Sequence, residues 1–344
     1  MKRNIFICLF TLLLFLSLSA SAQIKVVTTF SDFASITEML GEDRVEVEYL
    51  SRGDQDPHFV PPKPSLVMKL KKADLLISTG LDLEMWLTTL QDKARNKNIM
   101  DGAVGFVTTS PGLEILEKPT HSLSRSEGDV HVLGNPHFQT SALNWIGISE
   151  NILTGLQKVD SENSAFYADN QKLFADRVYR ALFGGTLVDL IGGKQLAELL
   201  QAGTLFEFLE NDYEGASLKS RLGGWLKEAL PFRGLNMVAY HKNWSYFARD
   251  FGLNIVGFIE SKPGIPPTPK HVESTIRMIE EKNIQVMLVA SYFEKRKPTT
   301  IAQKTGIQAV FLPVSVGAVE GTEDNFKLMD YWIRQINAAV RSKE

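Results

Sequence analysis

The sequence predicts an α/β protein of two lobes, each a mainly parallel sheet flanked by helices, joined by a long rigid backbone helix with a ligand cleft between the lobes. Three observations carry this reading. Short β-branched or apolar runs alternate with helical stretches from residue 24 to residue 108, the pattern of a parallel sheet covered on both faces. The same alternation restarts at Met237 and runs to Leu312. Between the two lies a helical stretch with no Gly/Ser-rich or Pro-rich linker, so the lobes should be stiffly joined.

The first element is an address. Residues 1–22 open with Lys2 and Arg3, continue in an apolar run from Ile5 to Leu18 and end in Ala20-Ser21-Ala22. This reads as a signal peptide cleaved after Ala22; the run is short for a membrane span of about 20 residues, which disfavours an uncleaved anchor. The single cysteine, Cys8, lies inside that run with no lipoprotein-type cleavage site before it. The expected product is therefore an exported, soluble periplasmic protein, not a lipoprotein. Losing Lys2 and Arg3 takes the net charge from −3 to −5.

The N-terminal lobe is assigned to residues 23–158. Ile24–Thr29 and Val45–Leu50 are strands, separated by a helix carrying Phe33, Ile36 and Leu40 that Gly41 stops. Pro64 opens a helix to Ala73, because a proline at the first helical position gives up an N–H that has no partner there. Leu75–Thr79 and Val104–Thr108 are the third and fourth strands. The backbone helix is assigned to 159–183, with Ser161 as N-cap and Phe166, Leu173, Val178 and Leu182 as its apolar side. Residues 184–344 form the C-terminal lobe, of which 184–224 reads as a helical insertion with glycine breaks. Strands follow at Met237–Tyr240, Ile255–Ile259, Val286–Ala290 and Ala309–Leu312. Thr268 caps a helix opened by Pro269, and Phe326, Met329, Ile333, Ile336 and Val340 make the stripe of a terminal amphipathic helix.

The chain is 44% hydrophobic and 22% charged, which excludes a disordered or polytopic membrane protein, and its near-neutral balance lacks the basic field of a nucleic-acid surface. One cysteine excludes an internal disulfide and a cysteine-based zinc site. Three of the six histidines, His58, His137 and His241, sit beside strand ends or helix starts, two of them after a proline that restricts the loop backbone. Three neutral imidazoles at about 2.0–2.1 Å from Zn²⁺ leave one tetrahedral position for oxygen. Taken singly, each reads as a solvated or carbonyl-bonded loop histidine, and spacing alone does not decide between the two.

The ordered set Asp56-Pro57-His58, then Lys72–Leu87 (KADLLISTGLDLEMWL), then Asn135-Pro136-His137, then Tyr240-His241 with Trp244, Tyr246-Phe247 and Phe251-Gly252-Leu253, resembles the zinc/manganese substrate-binding proteins of bacterial ABC importers, the TroA-like group. The resemblance implies that His58, His137 and His241 are metal ligands and that the protein performs no chemistry. It also implies a divalent cation as cargo, handed to an inner-membrane permease and its ATPase. Nucleic acid is not an expected partner, and a monomer is expected.

Three departures stand out. The stretch Leu312–Gly317 lacks the aspartate the family often supplies as fourth ligand. The Lys118–Gly134 stretch has only His121 and His131, where zinc-specific members often carry a His-rich loop, and His131 is expected in a supporting or surface position. The 184–224 segment is longer than usual. Glu260, at the cleft end of a neighbouring strand, is the candidate for the fourth position, as ligand or as acceptor beside one; a water is the alternative. With three His and at most one carboxylate, Zn²⁺ is favoured over Mn²⁺, which prefers more oxygen donors; raw affinity does not separate zinc from Cu²⁺ or Ni²⁺. The rival readings are a zinc-dependent hydrolase with a three-His site, against which stands the absence of an HExxH motif, and a surface adhesin on the same scaffold.

Overall fold

The computed structural model describes residues 23–120, 131–213, 215–260 and 264–342. The signal-peptide reading, with Cys8 and the cleavage point, and His121 lie outside the described residues. The first lobe holds strands β1 (Ile24–Phe30), β2 (Val45–Ser51), β3 (Leu75–Ser78) and β4 (Phe106–Thr108), in the parallel order β2-β1-β3-β4. Helices α1 (Ser31–Gly41), α2 (Pro64–Lys72), α3 (Leu87–Ala94) and α4 (Asn144–Val159) cover it. Helix α5 (Ser164–Phe183) follows, then short helices α6 (Gly185–Ile191), α7 (Gly193–Gln201) and α8 (Leu205–Phe208), the two-residue ladder of β5 (Asp212–Tyr213) with β6 (Ala216–Ser217), and α9 (Gly224–Glu228).

The second lobe holds β7 (Asn236–Ala239), β8 (Asn254–Phe258), β9 (Val286–Ala290) and β10 (Gln308–Leu312), in the parallel order β10-β9-β7-β8. Counted from the first strand of each lobe, both sheets run second, first, third, fourth. Each therefore has a reversal of strand order between its first and third strands, and ligands of open α/β sheets gather outside the carboxyl ends at such a point. Helices α10 (Ser245–Phe251), α11 (Pro269–Glu281), α12 (Arg296–Thr305) and α13 (Asn325–Arg341) complete the lobe.

Alternation along the strands places the cores. On β1, Val26 and Phe30 face a central core while Val27 faces an outer one with Leu70, Leu76 and Leu90. On β9, Val286, Leu288 and Ala290 join the same central core and Met287 and Val289 a second outer one. The central core is thus continuous across both lobes. At its middle, Trp145 of α4, Trp225 of α9 and Phe326 of α13 meet with ring centroids 5.8–5.9 Å apart. Burying each such ring contributes on the order of 1.5–3 kcal/mol, so the joint between the lobes is packed, not merely tethered.

The backbone helix differs from expectation in two details. Ser161 opens a 3-10 turn, Ser161–Asn163, and the α-helix begins at Ser164 with no side-chain cap. Its buried face is Tyr167, Gln171, Phe174, Val178 and Leu182, while Leu173 is exposed. Thr268 caps its helix as read, accepting from the His271 N–H, and Asp324 accepts from the Lys327 N–H at the start of α13. Helix α12 is absent from the sequence reading; only Pro298 and Ile301 of it are buried, too thin a stripe to mark a helix.

Candidate metal centre

Every candidate side chain sits on a loop leaving the carboxyl end of a strand. The loop after β2 carries Asp56 and His58. Asp56 Oδ1 accepts from the His58 N–H at 3.0 Å and lies 2.7 Å from its Nδ1, so a local turn and a ring hydrogen bond share one carboxylate. Trp86 Nε1–H donates to the Pro57 carbonyl at 2.9 Å, holding the same loop from the side. The loop after β3 carries Asp82, and the long connection after β4 carries His131 and His137. Asp82 accepts from His131 Nδ1 at 3.1 Å and from the Val132 N–H at 3.1 Å. In the second lobe His241 follows β7, and its Nδ1 donates to Glu260 Oε2, beyond β8, at 2.8 Å.

The rings converge. His58 lies 5.3 Å from His131, 5.2 Å from His137 and 5.5 Å from His241, centroid to centroid, and His137 lies 5.5 Å from His241. One ring nitrogen each from His58, His131 and His137 falls within 4.8 Å of the others, and the Nε2 atoms of His58 and His131 are 3.2 Å apart. A carboxylate offers only lone pairs, so each Nδ1 facing one carries the proton, and in the neutral ring this leaves Nε2 as the acceptor. His137 is 1% exposed, and neither of its ring nitrogens has a hydrogen-bond partner among the described residues. Burial, reinforced by the neighbouring imidazoles, lowers its pKa well below the usual histidine range. Burial also lowers that of His241, against the opposing effect of its hydrogen bond to Glu260. Both rings are held neutral, the form that binds metal.

The space beside His58 and His241 is lined by Phe59, Phe293, Asp56, Glu260 and Gly264 and measures about 20 Å³. That admits one water-sized body and no organic ligand.

The structure brings together His58, His137 and His241, and His131, expected in a supporting or surface position, stands beside His58. The partner of His131, Asp82, stands in the quoted motif with no role given; nothing local marks a pairing across 49 residues. Glu260, expected as ligand or as acceptor beside one, uses its Oε2 on His241. Trp244 is a packing residue, buried against Trp332 with centroids 5.2 Å apart, and Phe293 stands 5.9 Å from the His241 ring. The Leu312–Gly317 stretch packs on the first lobe: Ser31 Oγ donates to the Val316 carbonyl at 2.8 Å, and a Cβ on Gly53 would stand 2.3 Å from that oxygen.

Comparison with known proteins agrees with this architecture. The profile of the family described as "ZnuA: Zinc-uptake complex component A periplasmic" matches residues 26–181 and 220–339, leaving out 182–219. The manganese ABC transporter substrate-binding lipoprotein PsaA of Streptococcus pneumoniae is 23% identical over 92% of this chain and 88% of its own length. A metal ABC transporter substrate-binding lipoprotein of Lactococcus lactis is also 23% identical, over 91% of this chain and 87% of its own. The zinc-binding protein AdcA of Streptococcus pyogenes is 21% identical over 88% of this chain and 52% of its own. A crystal structure of ZnuA superposes with a TM-score of 0.66 at 19% identity, over 92% of this chain and 99% of that one.

Two lobes closed over a buried cluster of imidazoles define a solute receptor. The chain belongs to the zinc-uptake complex component A family, and it is the substrate-binding protein of an ABC transporter for a divalent metal. Members of this family are transport proteins, so the chain is not an enzyme and the hydrolase reading falls. One expectation is corrected here. Cys8 and residues 1–22 point to a free periplasmic protein, not a lipoprotein; the Streptococcus pneumoniae and Lactococcus lactis relatives, which match nearly the whole chain, are named lipoproteins, which overturns it.

Proposed function

We propose that the protein captures one Zn²⁺ with the Nε2 atoms of His58, His131 and His241 and a ring nitrogen of His137, and delivers it to a membrane permease driven by an ATPase. The observation that supports this most is the approach of the His58 and His131 Nε2 atoms to 3.2 Å while each ring's Nδ1 faces a carboxylate. Two lone pairs facing each other repel, and a shared cation removes the repulsion. Bonds of about 2.0–2.1 Å at tetrahedral angles put ligand nitrogens about 3.3 Å apart, which is the spacing of this pair. The carboxylates Asp56, Asp82 and Glu260 then act through the rings. Each holds an Nδ1–H, orients the imidazole and raises its basicity, the usual arrangement behind metal-bound histidine.

The donor set also supports the choice of metal. Four imidazoles, with the carboxylates of Asp56, Asp82 and Glu260 engaged by ring Nδ1 atoms, suit zinc, whereas Mn²⁺ prefers oxygen donors and higher coordination. Relatives named for manganese and for zinc both exist, so the test is a direct competition. Calorimetry on chelator-treated protein should give one site per chain, with Zn²⁺ bound at least about a hundredfold more tightly than Mn²⁺. Equal or tighter binding of Mn²⁺ sinks the zinc reading and leaves the metal receptor standing.

A further inference from the structure

We propose that Glu84, a buried carboxylate outside the metal centre, is the positioning residue that holds His58 and His131 in place together. The proposal rests on the reading that these two histidines bind the ion. Glu84 is 8% exposed and lies between Leu83 and Met85 in the loop after β3. Its Oε1 accepts from Thr29 Oγ1 at 2.6 Å, Thr79 Oγ1 at 2.6 Å and the Thr79 N–H at 2.8 Å. Thr29 is the penultimate residue of β1 and Thr79 follows β3, the first and third strands of the lobe, so the carboxylate is bolted to the point where the strand order reverses.

What it anchors is a short loop with two arms. Two residues before Glu84, Asp82 holds the His131 ring and the Val132 N–H. Two residues after it, Trp86 holds the carbonyl that precedes His58. Asp82 has φ +50°, in the left-handed region where a non-glycine residue needs its surroundings to hold it. The three donors on Glu84, with Leu81 and Leu83 buried in the central core, hold that conformation, and Glu84 is its polar anchor. Without that anchor both arms would relax at once, whereas His137 and His241 are held by other contacts.

The test uses the full chain carrying Glu84→Leu, which keeps an apolar volume and removes the acceptor, and Glu84→Gln, which keeps an acceptor oxygen. Zinc affinity is measured by chelator competition, the fold by thermal melting of the metal-free protein, and ligand geometry by the visible spectrum of the Co²⁺-loaded form. Glu84→Leu should weaken zinc about 10–100-fold, the range for losing a group behind a metal ligand, and dim the tetrahedral cobalt bands at saturating metal. Glu84→Gln should stay within about threefold of wild type. In a His131→Ala background the Leu substitution should cost less, because one of its arms is already gone. A folded Glu84→Leu protein with wild-type zinc affinity and cobalt spectrum overturns the proposal. If that variant does not fold, Thr79→Val removes one donor; unchanged affinity there overturns it equally. Should wild-type protein itself bind neither Zn²⁺ nor Co²⁺, the parent reading fails instead, and the two failures are told apart.

Discussion

The two halves of the candidate metal centre are built differently. His137 and His241 are 1% and 5% exposed, whereas the His58 and His131 side chains are 11% and 14% exposed. The deep pair is clamped across the lobes. Asn135 Nδ2 donates to the Lys242 carbonyl at 2.9 Å, and Tyr246 OH donates to the Asn135 carbonyl at 2.6 Å. Thr140 Oγ1 donates to the Asn243 carbonyl at 3.1 Å, and Ser141 donates to the buried carboxylate of Asp250. The segment bearing His137 and the turn bearing His241 are thereby one body. The outer pair hangs on loops of the first lobe alone, steadied by Asp56, Asp82 and Trp86. The inner pair is thus fixed by contacts from both lobes and the outer pair by contacts from one. If the four rings bind the ion as proposed, affinity is set mostly by the first pair and access mostly by the second.

That contrast breaks most readily at the deep pair. Replacing His137 or His241 with Ala should weaken zinc by about a hundredfold or more, because each leaves a rigid site short of a donor and with no loop able to substitute. Calorimetric affinity indistinguishable from wild type would remove that residue from the centre. His131→Ala should cost less, about tenfold to thirtyfold, since water can enter at the more exposed side. A loss as large as that of His137→Ala would show that the halves are energetically alike. Glu260→Gln should weaken zinc by about tenfold, because the amide still meets His241 Nδ1 but loses the charge that makes the ring a stronger donor; chelator competition reads it.

The smallest effect on metal binding and the clearest on pH belongs to the lobe junction. Burial pushes the Asp32 carboxyl up to about 7, against hydrogen bonds from Ser315 and from backbone including Val316, and its Oδ2 has no partner among the described residues. The folded protein therefore binds a proton that the unfolded chain releases near pH 4. Between roughly pH 4 and 7 native protein holds more protons, so stability falls as pH rises and levels off above the folded pKa. The size is about 4 kcal/mol at most, because each tenfold change in proton affinity is worth about 1.4 kcal/mol. Asp32→Asn should flatten the fall in melting temperature between about pH 5 and 8 and leave zinc affinity at the upper end of that range nearly unchanged. Parallel melting curves for the two proteins would show that Asp32 does not titrate in this range.

Legibility follows the range of the interaction. Val286–Ala290 is a strand because its five residues are apolar and bounded by polar ones, and it is found at those bounds. The stripe Phe326, Met329, Ile333, Ile336 and Val340 is all buried on α13. The α5 face is harder to read, since Leu173 is exposed and Gln171 buried: the helix lies between two lobes, and its contacts come from both. At the centre, the strand-end histidines are visible in the sequence, and so is Glu260 as a candidate acceptor beside one, but the pairing of His131 with Asp82 is not.

The alternation of strands and helices, the doubled lobe and the strand-end histidines were determined by the sequence alone, because apolar periodicity and capping act over a few neighbouring residues. Only the tertiary structure decided that His131 stands beside His58, that Glu260 faces His241 Nδ1 and that Asp82 supports His131. Those pairings span 73, 19 and 49 residues and depend on how loops from different strands meet above the ends of their sheets.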